Sequence, residues 1–340
     1  MQFIKKHILS ILVLLFTLLF FVLFLYIDLG QVFYILSGSN SLNFMGIFSK
    51  TWFLLIPVTV LIPVIIAFTV FYLKNTKGKR KWITFSLTLA FELKYTFVYS
   101  MYAVAPGLSF FPRKGTLSFT NEYIKEVKVD VDSNTYTSLY YDKNLPEVTI
   151  LFCGNSMTST QAFNYLEYRL DSSSRNLLVM DYPMFMDNQG RLNEETIYKE
   201  VDAYMSYLVD VEGYSYSQIR VAGFSIGTGV ACYAAEKYPV ANLVLFAPYH
   251  KFSAAMNNVT PVFYGPLELC VRFKFNSYDR APNINCETTI LYSLSDKVIP
   301  NSSTKELIPR FKDYKEIIYN NGFNHSQVFF NPTTFSYLLH

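Results

Sequence analysis

Between Ile8 and Ile27 the chain reads ILSILVLLFTLLFFVLFLYI, without a single charged residue. At 1.5 Å of rise per residue, about 20 apolar residues cross a hydrocarbon core, so a membrane-spanning helix is expected here. A cleaved signal peptide is the competing reading, because Lys5 and Lys6 precede the stretch. The length of the stretch and the lack of a small-residue cleavage site after it speak against a signal peptide. Trp52–Leu73 is a second uncharged run, and its Pro57 and Pro63 are tolerable in a membrane helix, where neighbouring groups re-satisfy the freed backbone. The composition agrees: 51% hydrophobic against 16% charged over 340 residues is too apolar for two ordinary soluble domains.

Lys74, Lys77, Lys79, Arg80 and Lys81 follow the second run, and the positive-inside rule places them on the cytoplasmic face together with Lys5 and Lys6. Residues 83–105 then decide where the remainder lies. They are long enough to cross but carry Glu92 and Lys94. A charge at the bilayer centre costs about 2.5–3.5 kcal/mol, while each Leu, Ile, Phe or Val returns about 0.3–0.6, so the balance is near zero. A third crossing, with the charges turned into a helix bundle, is preferred to an interfacial helix. Three crossings put everything after residue 105 on the non-cytoplasmic side; two leave it in the cytoplasm. The lipid bilayer is thus the expected partner of residues 1–105. The net charge of +3 lacks the basic excess of a nucleic-acid binder.

Residues 106–340 change to a strand-helix alternation. Strands are expected at 124–131, 148–152, 176–180, 218–222, 242–247, 288–293 and 316–319, several of them short apolar runs suited to a parallel sheet covered on both faces. The clearest helix runs over 194–211, where Ile197, Val201, Tyr204 and Leu208 recur at i, i+4, i+7 and i+11 behind an acidic first turn. This predicts one α/β domain with a mostly parallel, doubly wound sheet. Cys153, Cys232, Cys270 and Cys286 form no CxxC pair and have no nearby His, so no metal site is expected. Only Cys270 and Cys286 are placed to pair, with buried free thiols as the alternative.

After the 218–222 strand comes Gly223-Phe224-Ser225-Ile226-Gly227, followed by the helical run TGVACYAAEKY. G-x-S-x-G on a strand-to-helix turn is a nucleophile elbow, in which the small flanking residues permit a tight turn that presents the serine hydroxyl. A serine needs a base and an orienting carboxylate. His325, in the turn Asn321-Gly322-Phe323-Asn324-His325 after the last strand, is the candidate base. His250 in FAPYHKF is the alternative, and His7 and His340 are expected to be solvated or at lipid headgroups. Asp296 in LYSLSDKVIP follows a strand and lies between Ser225 and His325, whereas Asp279 follows none and reads as a surface residue. Two backbone N–H groups are expected to form an oxyanion hole. One is that of Ile226; the other comes from the Cys153-Gly154-Asn155-Ser156-Met157 loop, where Asn155 is preferred to Ser156 and Met157.

These stretches resemble the α/β-hydrolase superfamily, and most closely its membrane-anchored Bem46-like group, which includes the abhydrolase-domain proteins 12 and 13. That group carries an F-H-G-N loop, D-Y-x-G-x-G, G-x-S-x-G, G-x-x-D-x-x-V-P and a G-x-x-H turn. The matching residues are Phe152-Cys153-Gly154-Asn155, Asp181-Tyr182-Pro183, Gly223 to Gly227, Ser293 to Pro300, and Gly322 to His325. The resemblance implies a catalytic Ser225-Asp296-His325 triad acting on acyl substrates without a cofactor. Two departures stand out: Cys153 replaces the loop histidine, and the glycines after D-Y are absent from YPMFMDNQG. The Phe- and Tyr-rich segment 249–285 is either the family's cap or plain core packing. Three functions follow for consideration. The first is a serine hydrolase of acyl esters or thioesters on small-molecule or lipid substrates, with peptidase or amidase activity on the same scaffold as its variant. The others are a catalytically silent membrane-anchored binding module and, least supported, a small transporter.

Overall fold

The computed structural model describes residues 109–114, 121–259, 273–320 and 322–340, with isolated positions between 70 and 86 and at 268 and 271. The chain divides into two units, Met1–Ala105 and Pro106–His340, and the second is the one described below. The expected spans 8–27, 52–73 and 83–105 lie outside the described residues but for isolated positions. No helix among the described residues is long and apolar enough to cross a membrane.

Eight strands form one sheet: β1 Ile124–Val131, β2 Asn134–Tyr141, β3 Val148–Phe152, β4 Asn176–Met180, β5 Ile219–Phe224, β6 Asn242–Phe246, β7 Glu287–Ser293 and β8 Tyr314–Tyr319. Their spatial order is β1-β2-β4-β3-β5-β6-β7-β8. β1 and β2 are antiparallel to their neighbours, and β3 through β8 run parallel to one another. The helices are α1 Ser159–Leu170, α2 Glu194–Ser206, α3 Gly227–Lys237, α4 Phe252–Val259, α5 Ser277–Arg280, α6 Asn301–Leu307, α7 His325–Phe329 and α8 Thr334–Leu339.

The central strands are fully buried over VTILF in β3 and NLLVM in β4, which is why they read as continuous apolar runs rather than alternating ones. In α2, Ile197, Val201 and Tyr204 are buried, as is Leu208 in the turn that follows, and Asn193 caps the helix by accepting from the Thr196 N–H. The expected end at Val211 is reached through a π-helical turn, Tyr207–Val211. α1 opens on a Thr158–Gln161 capping box and buries Ala162, Phe163, Leu166 and Leu170 against the sheet.

Register sets the position of the site. Phe152 pairs with Gly223, Phe224 with Phe246, Phe246 with Leu291, and Ser293 with Tyr319. The carboxyl ends of β3, β5, β6, β7 and β8 therefore share one edge, and the loops leaving that edge carry the residues singled out by sequence. Cys153, Cys232 and Cys286 are free thiols, and Cys270, the other half of the Cys270–Cys286 pair, lies outside the described residues.

Candidate active site

β5 extends two residues beyond the expected Ala222, to Phe224, and Ser225 follows with φ +53°, a left-handed conformation rare for a residue with a side chain. Three bonds hold it there. The Ser225 N–H donates to Phe246 O at 2.9 Å, and the Thr228 hydroxyl and N–H donate to Ser225 O at 2.6 and 3.0 Å. The flanking glycines are steric requirements. A Cβ on Gly227 would lie 2.1 Å from Phe152 O, and one on Gly223 would lie 2.5 Å from Gly227 O, both of them backbone atoms that cannot swing aside.

His325 opens α7, whose cap Asn324 makes a capping box with Gln327. Its Nε2 lies 2.9 Å from Ser225 Oγ, and its Nδ1 lies 2.7 Å from Asp296 Oδ2. The Asp296 side chain is only 3% exposed. Its other oxygen, Oδ1, accepts from the N–H groups of Val298 and Ile299 at 2.8 and 3.0 Å, so both carboxylate oxygens are held. Ser225, His325 and Asp296 thus form one hydrogen-bonded row, built from three different loops at the sheet edge. His250 is not part of it: its Nδ1 bonds Ser303 Oγ at 2.9 Å, and burial pushes its imidazole below the usual range. Asp279 is exposed and bonded locally to Asn276.

The loop after β3 lies against the serine. A Cβ on Gly154 would sit 3.0 Å from the Phe224 ring and 3.6 Å from Ser225 Cβ, so the backbone here passes close to the serine and a side chain would press on the Phe224 ring. Asn155 follows Gly154, and its carbonyl accepts from the Phe111 N–H at 2.8 Å. The Met157 N–H donates to Gly154 O at 3.3 Å and is already engaged. Ile226 lies at the N-terminus of α3, where first-turn N–H groups have no intrahelical acceptor.

Both departures from the family pattern have structural counterparts. Cys153 is fully buried, and burial pushes its thiol well above the usual range, so it remains neutral. Its carbonyl accepts from the Tyr182 hydroxyl at 2.8 Å. Met184 and Met186, standing where the D-Y-x-G-x-G pattern has its glycines, adopt φ +73° and +52°. Methionines thus take a left-handed conformation at two positions of this loop. Asp181, at the start of this turn, accepts from the Ser159 N–H at 2.8 Å and from the Ser159 hydroxyl, which fixes the start of α1 behind the loop. Desolvation raises its carboxyl to about 7 against the opposing pull of those bonds.

Several contributors carried no sequence signal. Phe224 stacks on the His325 ring with centroids 5.2 Å apart and backs onto Phe329 at 5.0 Å. The Ser293 hydroxyl donates to Phe323 O at 2.6 Å and accepts from the Ser295 N–H at 3.1 Å, which ties the aspartate loop to the histidine loop. Within the 249–285 segment, Phe273 and Phe275 are buried and meet Phe110 edge-on, with centroids at 4.9 and 6.1 Å. This described part is core packing.

Residues 153–297 match the family described as Chlamydia CHLPS protein (DUF818). Alpha/beta hydrolase domain-containing protein aho-3 of Caenorhabditis elegans is 25% identical over 181 residues. The match covers 53% of this chain and 53% of that protein, so the chain spans about half the length of the curated relative it matches. Among solved structures, the Pyrococcus furiosus esterase Pf2001 superposes with a TM-score of 0.54 at 15% identity, covering 64% of this chain and 89% of the esterase. An alpha-beta hydrolase from Vibrio vulnificus gives 0.56 at 14% identity, covering 72% and 91%. At such low identity the likeness is one of fold, and the fold is the one the strand order and the serine elbow already describe: the described part of residues 106–340 has an α/β-hydrolase fold.

Proposed function

We propose that the chain is a membrane-anchored serine hydrolase that cleaves acyl esters or thioesters through an acyl-Ser225 intermediate. The observation that carries this is the row Ser225 Oγ, His325 Nε2, His325 Nδ1, Asp296 Oδ2, with links of 2.9 and 2.7 Å. A serine hydroxyl is a weak nucleophile until a base removes its proton, and a base at hydrogen-bond distance does so as the new bond forms. Oγ attacks the acyl carbonyl while Nε2 takes the proton, and Asp296 keeps the imidazole in the tautomer that leaves Nε2 free to accept it. The same proton then goes to the leaving alcohol or thiol. Water repeats the sequence on the acyl-enzyme and restores Ser225.

Negative charge develops on the carbonyl oxygen in both halves of the reaction. The N–H groups of Ile226 and Asn155 are the donors best placed to meet it, since Gly154 brings that loop to Ser225 and Met157 is engaged elsewhere. The names of the relatives, hydrolase and esterase, support hydrolysis as the reaction class. The finer assignment to the Bem46-like group rests on the motif resemblance, and the anchor rests on the uncharged stretches before residue 105. Together they favour a lipid or other acyl substrate near a membrane, with three crossings placing the domain on the non-cytoplasmic side.

Purified full-length protein is expected to turn over p-nitrophenyl esters or acyl thioesters, and Ser225→Ala is expected to abolish it, a loss of about 10⁶-fold where the chemistry is limiting. Turnover of peptide amides in preference to esters would move the reading to an amidase. Equal rates for wild type and Ser225→Ala would refute it.

A further inference from the structure

Asp296 works only if its loop keeps the carboxylate facing His325, and the loop is short, polar and partly exposed. Its own bonds to Val298 and Ile299 shape the turn but do not fix the turn to the rest of the protein. Two asparagines do. From α4, the Asn258 side-chain amide donates to Lys297 O at 2.6 Å and to Val298 O at 3.0 Å. From the first position of α6, the Asn301 amide donates to Leu294 O at 2.7 Å. The carbonyls on both sides of Asp296 are thus gripped, one side from the segment after β6 and the other from the helix after the loop.

We propose that Asn258 and Asn301 are positioning residues of the active site, acting through Asp296. This rests on the reading of Ser225 as nucleophile. Neither touches Ser225 or His325, and neither has a place in the G-x-x-D-x-x-V-P pattern that points to Asp296. The arrangement has a chemical consequence. Both asparagines head Asn-x-Ser/Thr triplets, Asn258-Val259-Thr260 and Asn301-Ser302-Ser303. A glycan attached at Nδ2 leaves one hydrogen on that nitrogen, whereas Asn258 uses two. Glycosylation of Asn258 and a complete clamp therefore exclude one another.

The test is a double-mutant cycle in the full-length protein, read as the rate at which a fluorophosphonate probe labels Ser225. Asn258→Ala and Asn301→Ala should each slow labelling about tenfold, and together about a hundredfold, as expected when a catalytic group drifts by about an ångström. In an Asp296→Asn background the same substitutions should change nothing further, because the group they position is already lost. Equal losses in both backgrounds would show a merely structural role and overturn the proposal; so would no loss in the wild-type background.

A second readout does not depend on activity. With 4 histidines in the chain, the Nδ1 proton of His325 can be followed by ¹⁵N-histidine NMR. It should persist as a downfield signal in Ser225→Ala, vanish in Asp296→Asn, and broaden or vanish in the Asn258→Ala/Asn301→Ala variant. An unchanged signal in that variant, with an unchanged melting temperature, would overturn the clamp. Failure of the wild type to label would instead count against Ser225 as nucleophile, and the NMR result would still decide on the clamp.

Discussion

Two methionines stand in a backbone conformation that favours glycine. Met184 and Met186 hold left-handed φ values at the two positions where the resembled D-Y-x-G-x-G pattern has glycine. A side chain in that region costs about 1–2 kcal/mol, partly offset in a comparison with glycine by the greater entropy glycine loses on folding, about 0.5–1 kcal/mol. Met184 is half-buried, so Met184→Gly is expected to stabilise the fold by up to ~1 kcal/mol. Met186 is 7% exposed and its sulfur lies 3.7 Å from the Thr160 hydroxyl. Losing a buried methionine costs about 1.5–3 kcal/mol, so Met186→Gly is expected to destabilise by ~1–2 kcal/mol. Urea denaturation of the two variants checks the opposite signs. The residues of the candidate site were legible from sequence because each sits in a short motif at a strand end. The Phe224 stack, the Ser293 bridge and the two asparagines were not, because their partners lie far away in the chain and only the fold brings them together.

Among the elements, seven of the eight strands lie where the sequence places them, and β2 is the one that was not foreseen. NTYTSLYY mixes polar residues and tyrosines, and the turn joining it to β1 is Asp132-Ser133 rather than the glycine-bearing pair that marks a hairpin. Asp132 takes the left-handed conformation itself, with φ +54°. α2 carries a different surprise. Glu200, on its buried face, is fully inaccessible, and among the described residues neither carboxylate oxygen has a hydrogen-bond partner. Desolvation first, and the nearby Asp181 second, push its carboxyl well above the usual range. Both groups bind protons more tightly folded than unfolded. Their contribution to stability is therefore full below about pH 4, declines as pH rises through the window up to about 7 for Asp181, and goes on declining above it for Glu200. Glu200→Gln is expected to flatten this decline and to raise the melting temperature at pH 8 relative to wild type, by an amount corresponding to about 1–3 kcal/mol. Melting curves from pH 4 to pH 9 check it; an equally steep decline in the variant would contradict it.

At the scale of the whole molecule, the 51% hydrophobic composition divides between the uncharged stretches before residue 105 and an α/β domain whose central strands are fully buried. The two parts make separate demands. If the stretches 8–27 and 52–73 span, full-length protein is expected to stay in the membrane pellet after an alkaline carbonate wash, and its release into the supernatant would count against anchoring. The α/β domain sets a sharper test, because its sheet edge gathers Ser225, His325 and Asp296 from three loops into one row. The most direct measurement is fluorophosphonate labelling of the full-length protein, with the adduct mapped by peptide mass spectrometry. Acyl-serine chemistry predicts one probe molecule per chain, on Ser225, with labelling reduced about 10³- to 10⁴-fold in Asp296→Asn. No adduct on Ser225 under conditions that label another serine hydrolase, or an adduct at a different residue, would contradict it.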